Sequence, residues 1–215
     1  MKKIIIAIFL FSLMGKTMGQ ELKKEEKHDR TVFGNVSSFG GFMAFSTKVG
    51  DINGQSSLMV GGEIAGVFSS KFNFGIAGYG LTTNVDADSY DSNGELYEIH
   101  FGYGGLLLEP VIASEKMVHV SLPIILGVGG AGLHRRSNHK LKSENSEYLK
   151  DKYDYDTDVV LVAEPGLNLE INLFKNIRLD IGATYRYVYD SKVKEIRDQE
   201  LSGISGNVRL KFGWF

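Results

Sequence analysis

The side chains of this 215-residue chain that could do chemistry are spread along it, not gathered in one motif. Glu63, Glu98, His100, His119, Glu164, Glu170, Arg178, Asp180, Arg186, Arg209 and Lys211 fall at alternate positions of segments whose other positions are apolar. Enclosed together, such a set either lines a gated polar path for small solutes or closes on itself as ion pairs and hydrogen bonds. Its acids and bases are nearly matched, which favours neutralisation, because enclosed charges must be paired.

Three smaller constellations compete with that reading. His100 and His119, expected on neighbouring strands, make with an unassigned carboxylate a thin metal set in a chain without Cys, and a hydrogen-bonded lumen is the simpler account. Segment Asn84–Glu95 carries Asp86, Asp88, Asp91, Asn93 and Glu95, oxygen ligands suited to calcium. Ser89 stands where the calcium-loop pattern needs its first Asp, so a solvated acidic loop is the simpler account. Ser137, His139 and Glu144 supply the residue types of a nucleophilic triad, yet all three lie in one loop with no rigid element to orient them. No catalytic, cofactor or metal site is therefore expected.

The loop holding that trio is the most distinctive segment. Gly132–Asp156 runs from basic (Arg135, Arg136, His139, Lys140, Lys142) to acidic (Glu144, Glu147, Asp151, Asp154, Asp156), with Tyr148, Tyr153 and Tyr155 among them. Arg recognises phosphate and Tyr-rich loops suit protein contacts, so this is the candidate surface-contact region, beside the plainer reading of a solvated loop.

The elements that must position these groups are strands. In Thr157–Leu173, Val159, Leu161, Ala163, Leu167, Leu169 and Ile171 share one parity, and Glu164, Asn168 and Glu170 the other. Ile177 to Tyr189 opposes Leu179, Ile181, Tyr185 and Tyr187 to Arg178, Asp180, Thr184 and Arg186. The last segment, Asn207–Phe215, opposes Val208, Leu210, Phe212 and Trp214 to Asn207, Arg209 and Lys211. A period of two marks strands between two different environments. Five earlier strands are expected at about Ser38–Lys48, Ser56–Phe68, Phe72–Thr83, Leu96–Leu108 and Met117–Ala131. In the fourth, Tyr97, Ile99, Phe101, Tyr103 and Leu107 are assigned outward, against Glu98 and His100. The first is ambiguous, because Phe39, Met43 and Phe45 compete with Phe42.

Connections Ser69–Lys71, Glu109–Lys116 and Phe174–Asn176 are expected to be short, and Val49–Gln55, Asn84–Glu95, Gly132–Asp156 and Asp190–Glu200 longer and polar. Loops sorted by length between two ends, over an even strand number, are the pattern of a transmembrane barrel. On these assignments strands two to eight carry no charge on the apolar parity, where one Lys or Arg would cost about 2–4 kcal/mol at a bilayer midplane. Aromatic residues gather at strand ends, Tyr97, Tyr185, Tyr187 and Tyr189 at one rim and Phe68, Phe72, Phe74, Phe212 and Trp214 at the other, as interfacial girdles do.

Composition agrees: 26 Gly, 13 Phe and 10 Tyr with 3 Pro suit paired strands. Lys2 and Lys3, the apolar run Ile4–Met14, and Thr17 and Gly19 before Gln20 read as a cleaved export signal, too short for a spanning helix. Residues 1–19 are thus the expected signal peptide, 20–36 a charged periplasmic tail (QELKKEEKHDR at its start) and 37–215 the barrel. The mildly acidic mature chain gives no case for nucleic acid.

Together these features resemble the small outer-membrane β-barrel proteins, the OmpA-transmembrane-domain and OmpX type. Glu164–Tyr189 (EPGLNLEINLFKNIRLDIGATYRYVY) looks like the sixth-to-seventh strand hairpin of such proteins. The resemblance implies an all-β, eight-stranded, up-and-down barrel in the cell outer membrane. It also implies contact with outer-membrane lipid and lipopolysaccharide, and insertion by the barrel-assembly machinery through a C-terminal strand ending in Phe. Phe215 is out of phase with Trp214, Phe212 and Leu210, which leaves the register of that strand open. A monomer without enzyme activity follows, structural or binding through its loops. A narrow channel and a lipid-modifying enzyme are the alternatives.

Overall fold

The computed structural model describes residues 39–90, 96–135, 156–189 and 197–215. Its elements are β1 (Phe39–Ile52), β2 (Gln55–Phe68), β3 (Phe72–Leu81), β4 (Asp86–Tyr90), β5 (Leu96–Ile112), β6 (Val118–Ser121), β7 (Ile124–Arg135), β8 (Asp156–Phe174), β9 (Ile177–Tyr189), a single helical turn α1 (Asp198–Leu201) and β10 (Gly203–Trp214).

Every pairing is antiparallel, and the path closes. It runs β1, β2, β3, β5, β7, β8, β9, β10 and back to β1, with β3–β5 and β1–β10 completing the ring. β6 and β7 form one wall strand interrupted at Leu122–Pro123, so the wall has eight staves. The break has a local cause, since Pro123 has no N–H to give the ladder. Its carbonyl still accepts the Gly166 N–H at 2.7 Å. Closure leaves no unpaired edge, the condition for crossing hydrocarbon with strands.

Inward glycines make room for large lumen side chains. A Cβ on Gly61 would lie 2.3 Å from the Tyr79 ring, and one on Gly75 would lie 2.0 Å from the Ile64 carbonyl oxygen. Tyr79 and Tyr103 then stack across the paired strands β3 and β5, with centroids 5.6 Å apart.

The structure departs from the sequence reading at definite places. The connection expected over Val49–Gln55 is a two-residue hairpin, Asn53–Gly54, with φ of 53° and 69°. Asn-Gly is the pair whose left-handed conformations suit such a turn. The acidic segment after Asn84 contains the short strand β4, laid on β5. β5 runs on to Ile112, so Glu109 belongs to the wall and not to a turn.

The parity of β5 is the reverse of that expected. Ile99, Phe101, Tyr103 and Leu107 are buried inside, Tyr97 packs against that core, and His100 and Leu106 face outward. Glycines at 102, 104 and 105 carry no side chain to mark a face. The outer part of the interior is itself apolar, so apolar residues on β5 do not identify lipid. β1 resolves as Phe39, Met43 and Phe45 outside, with Phe42, Ser46 and Lys48 inside. In β10, Phe212 and Trp214 keep the outward parity. Phe215 instead stacks on Phe42 at 5.9 Å and lies under the Arg178 guanidinium at 3.8 Å.

Candidate functional site

The interior holds ten buried charged side chains in the described residues, five acids and five bases. Glu63, Glu109, Glu164, Glu170 and Asp180 face Lys48, Arg178, Arg186, Arg209 and Lys211. Most of these are joined in one connected network.

Arg209 on β10 is its hub. Its guanidinium donates to Asp180 Oδ2 through Nε at 2.7 Å, to Glu63 Oε2 through Nη1 at 2.7 Å and to Glu109 Oε1 through Nη2 at 2.5 Å. A planar fork with several donors suits this task, where a point-charge ammonium would not. Small neighbours let it reach. Ala44 and Ser46 on β1 stand between β10 and β2, leaving space for Arg209 to pass to Glu63.

Below it, Lys211 donates to Glu109 Oε1 at 2.9 Å, to Glu170, and lies 3.1 Å from Asp180 Oδ2. Glu109, Glu170 and Asp180 bring their oxygens within 4.8 Å of one another, the geometry of a cation site. The Lys211 ammonium stands among them and supplies the positive charge. Glu170 also accepts from Arg178 Nη1 at 2.7 Å and pairs with His119 Nε2 at 2.9 Å. The other His119 nitrogen faces the Lys116 carbonyl at 3.1 Å.

Towards the other end, Glu63 accepts from the Tyr79 hydroxyl at 2.6 Å. Lys48 donates to Glu164 Oε1 at 2.5 Å and to the Tyr103 hydroxyl at 3.1 Å, and its ammonium sits 3.3 Å from the Tyr79 ring centroid. Tyr103 itself donates to Glu164. A layer of apolar side chains closes the interior above them, among them Ile52, Met59, Phe101 and Val188. Leu201, carried in by α1, is fully buried there. Arg186 secures this cap through backbone, donating to the Leu201 carbonyl at 2.7 Å and the Asp51 carbonyl at 3.3 Å.

Of the inward residues expected from sequence, Glu63, His119, Glu164, Glu170, Arg178, Asp180, Arg186, Arg209 and Lys211 are placed in the interior. His100 is not: it is exposed on the outer face of β5, on the far side of the wall from His119, so the two cannot share a metal. Glu98 shares the parity of His100 and is only half-buried. Both miss the lumen for one reason, the reversed parity of β5. With that parity, the absence of charge expected on the outward face of strands two to eight does not hold near this end of β5.

Lys48, Glu109, Tyr79 and Tyr103 were missed. Lys48 stands at the end of the ambiguous first strand, and Glu109 falls in a segment expected to be a turn, beyond a strand whose odd parity is expected outward; Tyr103 shares that parity. Arg135 is the last residue of β7, its backbone paired with Tyr97; the other surface-contact residues Arg136, His139, Lys140, Lys142, Tyr148, Tyr153 and Tyr155 lie outside the described residues, as do the trio Ser137, His139 and Glu144, the expected signal peptide and the tail.

The outer face is the opposite of the interior. Phe45, Ile64, Ile76, Leu106, Val128, Leu169, Ile181 and Val208 are 48–67% exposed, while charges are buried at the centre. In water so much exposed apolar surface would be costly; in hydrocarbon it is the favoured outer face, with the polar side chains turned inward. This is the architecture of a small outer-membrane β-barrel.

No protein-family model matches the chain, and no curated protein matches it. Solved structures similar to it include the N-terminal β-barrel domain of Pseudomonas aeruginosa OprF, at 9% identity and TM-score 0.49 over 81% of this chain and 97% of that one. Neisserial surface protein A is similar at 12% identity and TM-score 0.49, over 81% and 96%. The outer-membrane protein OprG of Pseudomonas aeruginosa is similar at 12% identity and TM-score 0.47, over 86% and 99%.

Proposed function

We propose that this chain is a sealed, non-enzymatic barrel of the outer membrane, one that stabilises the envelope or binds through its outer loops and does not conduct solute. The observation that supports this is the lumen. Among the described residues five buried acids match five buried bases, nine of the ten joined in ion pairs and Arg186 held by backbone carbonyls, with an apolar cap at the long-loop end. A selective pore needs favourable but weak, multi-site interactions along an open path. Here the polar groups are spent on one another, as in a plug.

The described residues carry no nucleophile oriented by a base and a third group, the geometry acyl-transfer chemistry requires. The mixed-charge, Tyr-bearing segment 136–155 is the surface-contact region in this reading, its basic half suited to lipid phosphates.

Planar-bilayer recording of the refolded protein tests the sealed lumen directly. A silent bilayer is expected from the wild type. Stepwise conductance that changes when Glu170 or Arg178 is neutralised would overturn the reading in favour of a narrow channel. Deleting residues 136–155 is expected to leave the heat-modifiable gel shift intact and to remove any binding to cells or to lipopolysaccharide; binding that survives would dismiss the loop.

A further inference from the structure

The short-turn end of the barrel repeats one small pattern three times. Lys71 precedes Phe72 in the turn between β2 and β3, Lys116 precedes Met117 before β6, and Lys175 follows Phe174 between β8 and β9. All three lysines are exposed, and Met117 and Phe174 are 71% and 70% exposed beside them. Trp214 and Phe39 add exposed rings at the same end. Among the described residues no carboxylate forms an ion pair with any of the three.

Their backbones are fixed by neighbours. The Lys71 carbonyl accepts the Val111 N–H at 2.7 Å, and the Lys116 carbonyl accepts from Asn172 Nδ2 at 3.2 Å. Asn176, next to Lys175, exchanges bonds with Gly213 at 2.9 and 2.7 Å. The rim is therefore a rigid ring of three turns, each presenting a cation on a flexible stem next to a large apolar side chain.

Short turns lie on the periplasmic side of outer-membrane barrels, and we infer that this rim binds the anionic phospholipid headgroups of the inner leaflet. The inference rests on the membrane reading above. A Lys stem lies along apolar surface while its ammonium seeks the headgroup plane, and basic residues beside a membrane surface draw anionic lipid. The exposed Phe and Met side chains argue for lipid over an anionic glycan of the envelope, because a soluble polymer would leave them in water.

The test compares the wild type with a Lys71→Gln/Lys116→Gln/Lys175→Gln variant and with the corresponding triple Arg variant. Each is placed in nanodiscs of equimolar phosphatidylcholine and phosphatidylglycerol, and the lipid released with the folded protein is counted by native mass spectrometry. Phosphatidylglycerol should be enriched on the wild type and the Arg variant. The enrichment should fall several-fold, towards parity, in the Gln variant, and likewise for the wild type at about 1 M salt, where the screening length is about 3 Å. A gel shift on heating shows that the Gln variant is folded. Equal enrichment on a folded Gln variant, or none on the wild type, would overturn the inference. So would lysine-dependent binding to purified peptidoglycan with lipid retention unchanged. A protein that enters no bilayer would instead overturn the membrane reading beneath it.

Discussion

Arg209 and Glu109 rise from opposite walls of the barrel, on β10 and β5, and meet at 2.5 Å. The pair is 100 residues apart in sequence and four staves apart around the ring. With Lys48 and Glu164, which join β1 to β8, it makes the interior a set of struts spanning the barrel. Such struts cost desolvation to form, so their removal by halves is worse than their absence.

Arg209→Met should accordingly be the most damaging single change in the lumen. It leaves Glu63, Glu109 and Asp180 facing one another with only Lys211 to offset them. Breaking a buried pair costs about 3–5 kcal/mol when a charge is left uncompensated. Urea unfolding in lipid vesicles should show a loss in that range. Adding Glu63→Gln and Glu109→Gln to the same chain should return much of it. A triple variant no more stable than Arg209→Met would mean that the guanidinium acts through packing and not through charge.

Glycine substitutions should separate the two faces of the wall. At Gly75 an added Cβ would lie 2.0 Å from a backbone oxygen, so Gly75→Ala must displace strand β2 or β3. At Gly80 nothing lies within 4 Å of that Cβ. Gly80→Ala should be neutral or stabilising by about 0.5–1 kcal/mol, since it loses only the entropy of a flexible residue. Comparing heat-modification midpoints for the two variants checks this; equal loss in both would refute the assignment of Gly80 to an open outward position.

The turn Ser69–Ser70 holds two residues with φ of 50° and 55°, closed by the Lys71 N–H on the Phe68 carbonyl at 3.0 Å. Left-handed conformations cost an ordinary residue about 1–2 kcal/mol each. Asn53–Gly54 makes the equivalent turn at the other end with residues suited to it. Ser69→Asn/Ser70→Gly should therefore raise stability by about 1 kcal/mol or more, read as a higher urea midpoint. An unchanged midpoint would show that the serine hydroxyls already offset the strain.

How far the sequence reveals this arrangement depends on what each face carries. β8 and β9 are legible because Glu164, Glu170, Arg178 and Asp180 alternate with large apolar residues, and charge against Leu or Ile has one meaning. β5 is not, because its interior residues Phe101, Tyr103 and Leu107 are as apolar as lipid-facing ones, and at Gly102 and Gly104 its outward face has no side chain to mark it. The hub shows the same limit: Arg209 is visible as an inward base, but Glu109 can be matched to it only once the ring is closed. The turn at Asn53–Gly54 is legible as a hairpin dipeptide, but it sits in a polar stretch, Val49–Gln55, that reads as a longer loop.

The membrane reading itself is tested by a single charge on the outer face. Ile181 pairs with Leu169 on one side and Val208 on the other, amid a continuous apolar band. Ile181→Lys should cost about 2–4 kcal/mol in a bilayer, the range for a base at the midplane of a barrel wall. Tyr189→Lys, at the long-loop end of the same strand, should cost only about 0–1 kcal/mol, since interfacial positions admit charge. Unfolding of both variants in vesicles gives the depth dependence. If the two were equally mild, the outer face would be meeting water, and the buried charges of the lumen would need another explanation.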